Sequence, residues 1–209
     1  MKGYFGIGVE GLSKPLNAGN LFRSAQAFGA SFLFTVGASY AERAGRDGGA
    51  ETPPLDASRR VLRGGGAGMP PLEMSRRALR GSGDTSHAPG KVPLYAFPDA
   101  GSMVLPRGCA LVGVELLDEA VDLPSFRHPA RAAYILGPER DSLSGPVLER
   151  CAHVVRIPTS FCVNVAMAGA IVMYDRVLTL GRFATRPLSP GGPPGPLAPH
   201  VHGKPKRRT

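Results

Sequence analysis

Short apolar runs alternate with helix-compatible segments along most of the chain. The runs predict six buried strands, at Tyr4–Val9, Ser31–Val36, Val92–Phe97, Cys109–Val114, Ala132–Leu136 and His153–Ile157. A helix is predicted over Ala18–Phe28, where Leu21 and Ala25 repeat at helical spacing. Because strands that alternate with helices form sheets covered on both faces, the pattern favours an α/β fold with a mainly parallel sheet flanked by helices.

A last helix is predicted over Val163–Leu180, and it is apolar for most of its length. Such a helix packs deep in the protein or against a partner chain. Polar residues interrupt the uncharged stretch from Ile157 to Tyr174, and a membrane helix needs about 20 mostly apolar residues. We therefore expect no membrane span. The segment Pro146–Cys151, which separates two of the predicted strands, is compatible with a helix.

Two segments lack this apolar periodicity. Residues 41–82 contain eight Gly and four Pro, which predicts a flexible insertion, either a solvated loop or a segment with a role of its own. Residues 181–209 form a predicted disordered tail that is rich in Pro and Gly from Arg186 onward. We expect one domain over residues 1–180, with residues 41–82 as an insertion within it.

These two segments account for the whole net charge of +9. The insertion contributes +3 and the tail +6, so the rest of the chain is formally neutral. A basic appendage attracts polyanions such as RNA, or it keeps the protein in solution. The tail ends in a basic cluster of Lys204, Lys206, Arg207 and Arg208.

The three cysteines, Cys109, Cys151 and Cys162, all lie in apolar stretches. Their odd number argues against a disulfide framework, and their spacing argues against a zinc site. We expect no metal, and we expect Cys162 to be a small buried residue without chemistry. With no signal-peptide pattern at the N-terminus, a reducing cytoplasm is the simplest location.

Gly6–Gly11 matches the dinucleotide-binding pattern G-x-G-x-x-G. That pattern requires the glycines to lead from a strand directly into a helix. Here Ile7 and Val9 continue the strand alternation, and Pro15 with Leu16 is expected to keep the chain extended. The glycines are therefore predicted to serve close packing.

The segment Asn17–Arg23 places polar groups at the start of the first helix. Asn17 is predicted to cap the helix, and Arg23 to project from its second turn, on the same face as Asn20. Taken alone, these residues are an ordinary cap and a solvated arginine.

Two further polar segments follow predicted strands, at Gly137-Pro138-Glu139 and at Ile157-Pro158. Open parallel sheets place their ligand sites at such strand ends. Val163-Asn164-Val165 comes soon after the second segment, and Asn164 is expected to cap or orient the last helix.

In this order the segments resemble the three motifs of SpoU/TrmH RNA methyltransferases, in the SPOUT superfamily: N-x-G-x-x-x-R, G-P-E, and I-P followed by N-V. The resemblance spans residues 3–180. It implies a C-terminal trefoil knot, S-adenosylmethionine as cofactor, and a homodimer with active sites at the subunit interface. The implied reaction methylates a ribose 2′-hydroxyl of tRNA or rRNA.

The resemblance also assigns roles to residues. Arg23, Asn17 and Glu139 are the implied catalytic residues, and Arg23 either activates the hydroxyl with help from an RNA phosphate or positions that phosphate. The implied cofactor contacts are Val114, Gly137, Ile157, Cys162, Asn164 and Val165. The expected RNA contacts are Arg23, Arg140 and the basic cluster of the tail.

The chain departs from the family pattern at two positions. Many relatives have Ser two residues before and two residues after the motif-three Asn, where this sequence has Cys162 and Ala166. The alternative function is therefore a catalytically weak RNA-binding module that retains the fold.

Overall fold

The computed structural model describes residues 3–11, 14–37, 91–138 and 141–181, together with Phe183 and Pro190. The predicted insertion 41–82, nearly all of the tail, Glu139 and Arg140 lie outside the described residues. The predicted domain boundaries and the tail's RNA contacts therefore stay predictions.

Seven strands of the described residues form one parallel sheet. They are β1 Tyr4–Glu10, β2 Phe32–Val36, β3 Leu94–Phe97, β4 Ala110–Val114, β5 Val121–Asp122, β6 Arg131–Leu136 and β7 His153–Arg156. Their order in the sheet is β3-β2-β1-β6-β4-β7-β5. The six predicted strands are confirmed, with ends shifted by a residue or two, whereas β5 was not predicted because two residues carry no periodicity.

Three α-helices connect or cover these strands in the described part of the chain: α1 Pro15–Ala27, α2 Gly145–Leu148 and α3 Val165–Leu180. A short 3₁₀ helix spans Leu123–Ser125. The predicted last helix is confirmed over most of its length, and Asn164 caps it by accepting a hydrogen bond from the Ala166 amide at 2.9 Å.

The predicted start of the first helix is wrong. The helix begins at Pro15, its N-cap is Lys14, and Lys14 makes no side-chain capping bond. Proline suits the first helical position because its fixed φ is already helical and its missing N–H would lack a partner there. Pro15 therefore starts the helix instead of keeping the chain extended, and Asn17 lies inside the first turn rather than at the cap.

The two faces of the sheet bury separate apolar clusters. On one face, Ile7 and Val9 pack with Leu21 of α1 and Met173 of α3, and α1 contacts α3. On the other face, Phe34 of β2 belongs to a cluster that continues into α2. This two-faced burial is the layered α/β arrangement that the sequence predicts.

The glycines of β1 allow aromatic rings to lie against the strand. A Cβ on Gly6 would lie 2.2 Å from the Phe32 ring, and one on Gly8 would lie 2.5 Å from the carbonyl oxygen of Phe34. Real Cβ atoms do not approach other atoms so closely. The close-packing interpretation of these glycines is confirmed.

A buried arginine anchors α3 at the amino edge of the sheet. Arg176 is 4% exposed, and its guanidinium donates to the carbonyl oxygens of Pro129 and Ala130 at 2.6 and 2.8 Å. It also donates to the Tyr134 hydroxyl at 3.1 Å. These bonds join the last helix to the two residues that directly precede β6 and to Tyr134 within it.

His128 extends this anchor. Its ring nitrogens lie 2.6 Å from the Tyr134 hydroxyl and 2.9 Å from Asp175 Oδ2. Burial lowers the pKa of His128, although the bond to Asp175 opposes the shift. The imidazole is therefore held mainly by hydrogen bonds at neutral pH rather than as a full ion pair.

Candidate active site

Four strand ends meet at the carboxyl edge of the sheet, because β1, β6, β4 and β7 are consecutive neighbours. Val114 of β4 pairs with Leu136 of β6 and with Val155 of β7. The predicted cofactor contacts Val114, Gly137 and Ile157 therefore follow one another across this edge. Open parallel sheets bind ligands at this location.

The first and third motifs touch through their asparagines. Asn164 Nδ2 donates to Asn17 Oδ1 at 3.1 Å, across 147 positions of sequence. Asn17 is only 8% exposed whereas Asn164 is exposed, so this bond joins the start of α1 to the start of α3 in a partly buried place. The predicted site residues Cys162 and Val165 flank the same junction in sequence.

Arg23 is exposed on α1, six residues beyond Asn17 and so about 9 Å further along the helix axis. Asn20 is exposed as well, whereas Leu21 and Ala25 are fully buried. The predicted separation of a polar and an apolar face on this helix is confirmed. Arg23 thus lies at the surface of α1, about two turns from the helix start, while Glu139 lies outside the described residues.

The turn after β6 packs against its neighbours. A Cβ on Gly137 would lie 3.1 Å from Glu115 Oε2 and 3.2 Å from the Leu143 amide nitrogen. Gly11 has a φ of +59°, and a Cβ there would lie 3.3 Å from Pro138. Glycine at position 137 therefore lets this loop fold back onto the sheet edge.

Sequence reasoning missed two carboxylates at this edge. Glu10 ends β1 and accepts hydrogen bonds from the Ser144 amide at 2.8 Å and the Ser144 hydroxyl at 2.6 Å. Glu115 follows β4 and accepts from the Leu143 amide at 2.8 Å. No local signal marks these contacts, since they cross 134 and 28 positions of sequence.

An open cleft of about 370 Å³ lies beside the ends of β4 and β7. It is lined by Leu116, Asp122, Arg156, Pro158, Thr159 and Ser160. Arg156 donates to Asp122 at 2.6 Å and to the Leu117 carbonyl oxygen at 3.3 Å, which holds the loop after β4. The volume of the cleft lies within the range of about 300–1,000 Å³ that is common for small-molecule sites.

The prediction that Cys162 is buried is wrong, because its side chain is exposed. Its apolar sequence context is misleading, since Phe161 beside it is itself 76% exposed. Cys109 and Cys151 are free and partly buried. Burial raises the pKa of Cys109, and it raises the pKa of Cys151 to about 11.

Thiol labelling should therefore select Cys162. At pH 7.5 we expect iodoacetamide to modify Cys162 more than about tenfold faster than Cys151, because the thiolate is the reactive form and burial suppresses it at Cys151. Because Cys162 is a predicted cofactor contact, saturating S-adenosylmethionine should slow its labelling. Peptide mass spectrometry over time measures both rates. Equal labelling of the two cysteines would contradict the exposure difference.

Among the described residues, no helix is long and apolar enough to cross a membrane. The same part of the chain contains no group of three or more His, Cys, Asp or Glu side chains placed to hold a metal ion.

Residues 80–174 match the SpoU rRNA Methylase family. No curated protein matches the chain by sequence. Among solved structures, the SpoU methyltransferase AviRb from Streptomyces viridochromogenes in complex with AdoMet is 20% identical, with a TM-score of 0.60. The match covers 85% of this chain and 58% of AviRb.

Two other solved structures are similar. An rRNA methyltransferase from Sinorhizobium meliloti is 18% identical, with a TM-score of 0.59 over 85% of this chain and 56% of that protein. A structure that addresses the 2-OH methylation of C/U34 on tRNA is 23% identical, with a TM-score of 0.57 over 87% of this chain and 100% of that one. This chain spans less than two thirds of the length of the first two proteins. The parallel sheet with its helices is thus the SPOUT fold, whereas the knot stays a prediction.

Proposed function

With residues 80–174 matching the SpoU rRNA Methylase family and the sheet having the SPOUT fold, we propose that this protein transfers a methyl group from S-adenosylmethionine to RNA. The acceptor that we propose is a ribose 2′-hydroxyl of tRNA or rRNA. The observation that carries the proposal is the Asn164 to Asn17 hydrogen bond, since it joins two of the three motifs, and open parallel sheets bind ligands at their carboxyl edge. The three free cysteines fit a reducing cytoplasm.

The cleft fits the chemistry of the cofactor. Leu116 and Pro158 offer apolar surface of the kind that an adenine ring needs, and Asp122 and Thr159 offer oxygens for hydroxyl and amino groups. The main chain at Val114, Gly137, Ile157 and the Cys162–Val165 turn would hold the rest of S-adenosylmethionine. When bound, this cofactor supplies an activated methyl group on a sulfonium.

The protein's own task is then alignment and proton removal, because a ribose hydroxyl is a poor nucleophile at neutral pH. Arg23 faces solvent on α1, where an RNA backbone can reach its guanidinium. A guanidinium has a pKa above about 12, so we propose that Arg23 acts together with an RNA phosphate, either activating the hydroxyl or positioning the phosphate. Asn17 and Glu139 are proposed to hold Arg23 and the RNA in place.

The structure bears on one of the two serine replacements, Ala166. Ala166 is 8% exposed and packs in the core, and the capping bond that Asn164 makes to it uses only the backbone amide. A serine hydroxyl is therefore not needed at position 166 for the helix to start correctly. The replacement at position 166 is therefore no argument, on grounds of helix formation, for the RNA-binding module.

We further propose that the protein is a homodimer whose active sites lie at the subunit interface. Leu16, Phe161 and Met167 are 54%, 76% and 58% exposed, and all three flank the Asn17 to Asn164 junction in sequence. Exposed apolar side chains grouped around one site are typical of interaction surfaces.

The proposed reaction is tested with labelled S-adenosylmethionine and total RNA from a strain that lacks the protein. We expect label in one RNA, and nuclease digestion with mass spectrometry should find it as a 2′-O-methyl nucleotide. Label on a base would keep RNA methylation and refute the ribose acceptor. Cofactor binding without any labelled RNA would favour the RNA-binding module.

A further inference from the structure

The loop that follows β6 is held from both neighbouring strands. β6 lies between β1 and β4 in the sheet. Glu10, at the end of β1, uses both carboxylate oxygens on Ser144. Glu115, just after β4, uses one oxygen on the Leu143 amide and the other on the Leu116 amide at 2.9 Å. Two carboxylates thus grip two consecutive loop residues from opposite sides.

We propose that Glu10 and Glu115 are positioning residues that fix this loop for methyl transfer. We call the four residues Glu10, Glu115, Leu143 and Ser144 the carboxylate clamp. The inference rests on the proposed function. It adds two residues that act through the loop and do not themselves touch the reacting atoms.

The chemistry of the contacts supports the clamp. Hydrogen bonds to an ionised carboxylate are about twice as strong as neutral ones, and the contacts to Leu143 and Ser144 are partly buried. The loop forms no strand between Gly137 and Ser144 in its described part, so the sheet ladder does not hold it. The clamp supplies fixed points on the chain that flanks the predicted catalytic Glu139.

The two sides of the clamp lead to different parts of the site. Glu10 precedes Gly11, which approaches Pro138, and the chain then continues into α1 with Arg23. Glu115 instead holds the Leu116 amide, and Leu116 lines the cleft. Loss of Glu10 should therefore impair the transfer step, whereas loss of Glu115 should weaken cofactor binding.

The test compares full-length Glu10→Ala, Glu115→Ala and Glu10→Gln with Glu149→Gln as the matched control. Glu149 is exposed at the end of α2, near the clamp in sequence but outside it. Hydrogen–deuterium exchange of the peptide covering residues 141–148, without cofactor or RNA, reports on the loop alone. We expect faster exchange in both alanine variants, and exchange close to wild type in Glu149→Gln.

Kinetics then separate positioning from folding. Glu10→Ala should lower kcat by about tenfold to a hundredfold, since small misplacements cost that much, with little change in the dissociation constant of S-adenosylmethionine. Glu115→Ala should raise that constant by a similar factor. Glu10→Gln should recover part of kcat, because its amide oxygen can still accept from the Ser144 amide.

The outcomes are distinguishable. If exchange in the loop is unchanged in both alanine variants, the clamp does not hold the loop and the inference is overturned. If exchange rises while kcat and cofactor affinity stay unchanged, the positioning role is overturned. A wild-type protein that transfers no methyl group refutes the proposed function, and in that case faster exchange together with weaker cofactor binding in Glu115→Ala still supports the clamp.

Discussion

Replacing Arg23 with Ala is expected to lower methyl transfer to RNA by about 10²- to 10⁴-fold, the usual contribution of a positioned acid–base group. The affinity for S-adenosylmethionine should stay the same, because Arg23 is exposed on α1 and does not line the cleft beside β4 and β7. Single-turnover transfer and calorimetric titration of the cofactor measure the two quantities. Arg107→Ala is the matched control, since Arg107 is exposed before β4, at the opposite end of the strands.

The variant Arg23→Lys separates the two proposed roles. If Arg23 gives up and takes a proton, lysine retains some activity and moves the pH–rate profile to lower pH, because its ordinary pKa is about 10.4. If Arg23 positions a phosphate by a bidentate hydrogen bond, the lysine variant should lose methyl transfer at every pH. Unchanged methylation by Arg23→Ala would remove Arg23 from the reaction altogether.

Replacing Arg176 with Leu should lower the free energy of unfolding by about 2 kcal/mol or more, since two partly buried carbonyl oxygens lose their donor and each costs about 1–3 kcal/mol when it is left unsatisfied. The carbonyl oxygens of Pro129 and Ala130 would both lose the guanidinium. Urea unfolding followed by circular dichroism gives the loss. Arg127→Leu makes the same charge change at an exposed position of the loop that contains Pro129 and Ala130. It should lower the free energy of unfolding only slightly.

Should Arg176→Leu fail to fold, Arg176→Lys provides the measurement. An ammonium keeps the charge and up to three donors, so its loss of stability should fall between those of the wild type and the leucine variant. Equal stability of Arg176→Leu and Arg127→Leu would show that the buried anchor contributes nothing beyond its charge.

The strands of this fold are predictable from sequence because each one buries apolar residues in a short run. Ile7, Val9 and Leu136 lie in such runs, and all three are at most 2% exposed. The end of α3 and its Asn164 cap follow in the same way from a long apolar stretch after a polar residue. These features depend on the order of apolar and polar residues over a few positions, which can be read from a single sequence.

The errors arise where one residue type serves two roles. Proline in the sequence predicts a barrier to a helix, yet Pro15 starts α1, because proline is also favoured at the first helical position. The apolar neighbours of Cys162 predict an interior position, although Phe161 and Met167 are themselves exposed. Exposed apolar residues beside the carboxyl edge of the sheet resemble core residues in sequence.

The candidate site was predictable only in part. The asparagines and strand-end turns were found because their motifs are local, and the structure brings Asn17 and Asn164 together. Glu10 and Glu115 were missed because a carboxylate that binds a distant loop leaves no spacing signal. Their partners become visible only when β1, β6 and β4 are placed side by side.

Because β6 lies at the centre of the sheet, β1 is synthesised long before one of its two neighbouring strands. β1 pairs with β6 along one whole side, and Glu10 meets Ser144 only 134 positions later. The residues of β6 lie 127 positions after their partners in β1, so at about 5–20 residues per second of synthesis β1 waits roughly 6–25 s for β6. During that time its open edge is a template for pairing with other chains. Contacts between residues so far apart in sequence form slowly in general. The edge of β1 that pairs with β6 therefore stays unpaired until β6 has been synthesised.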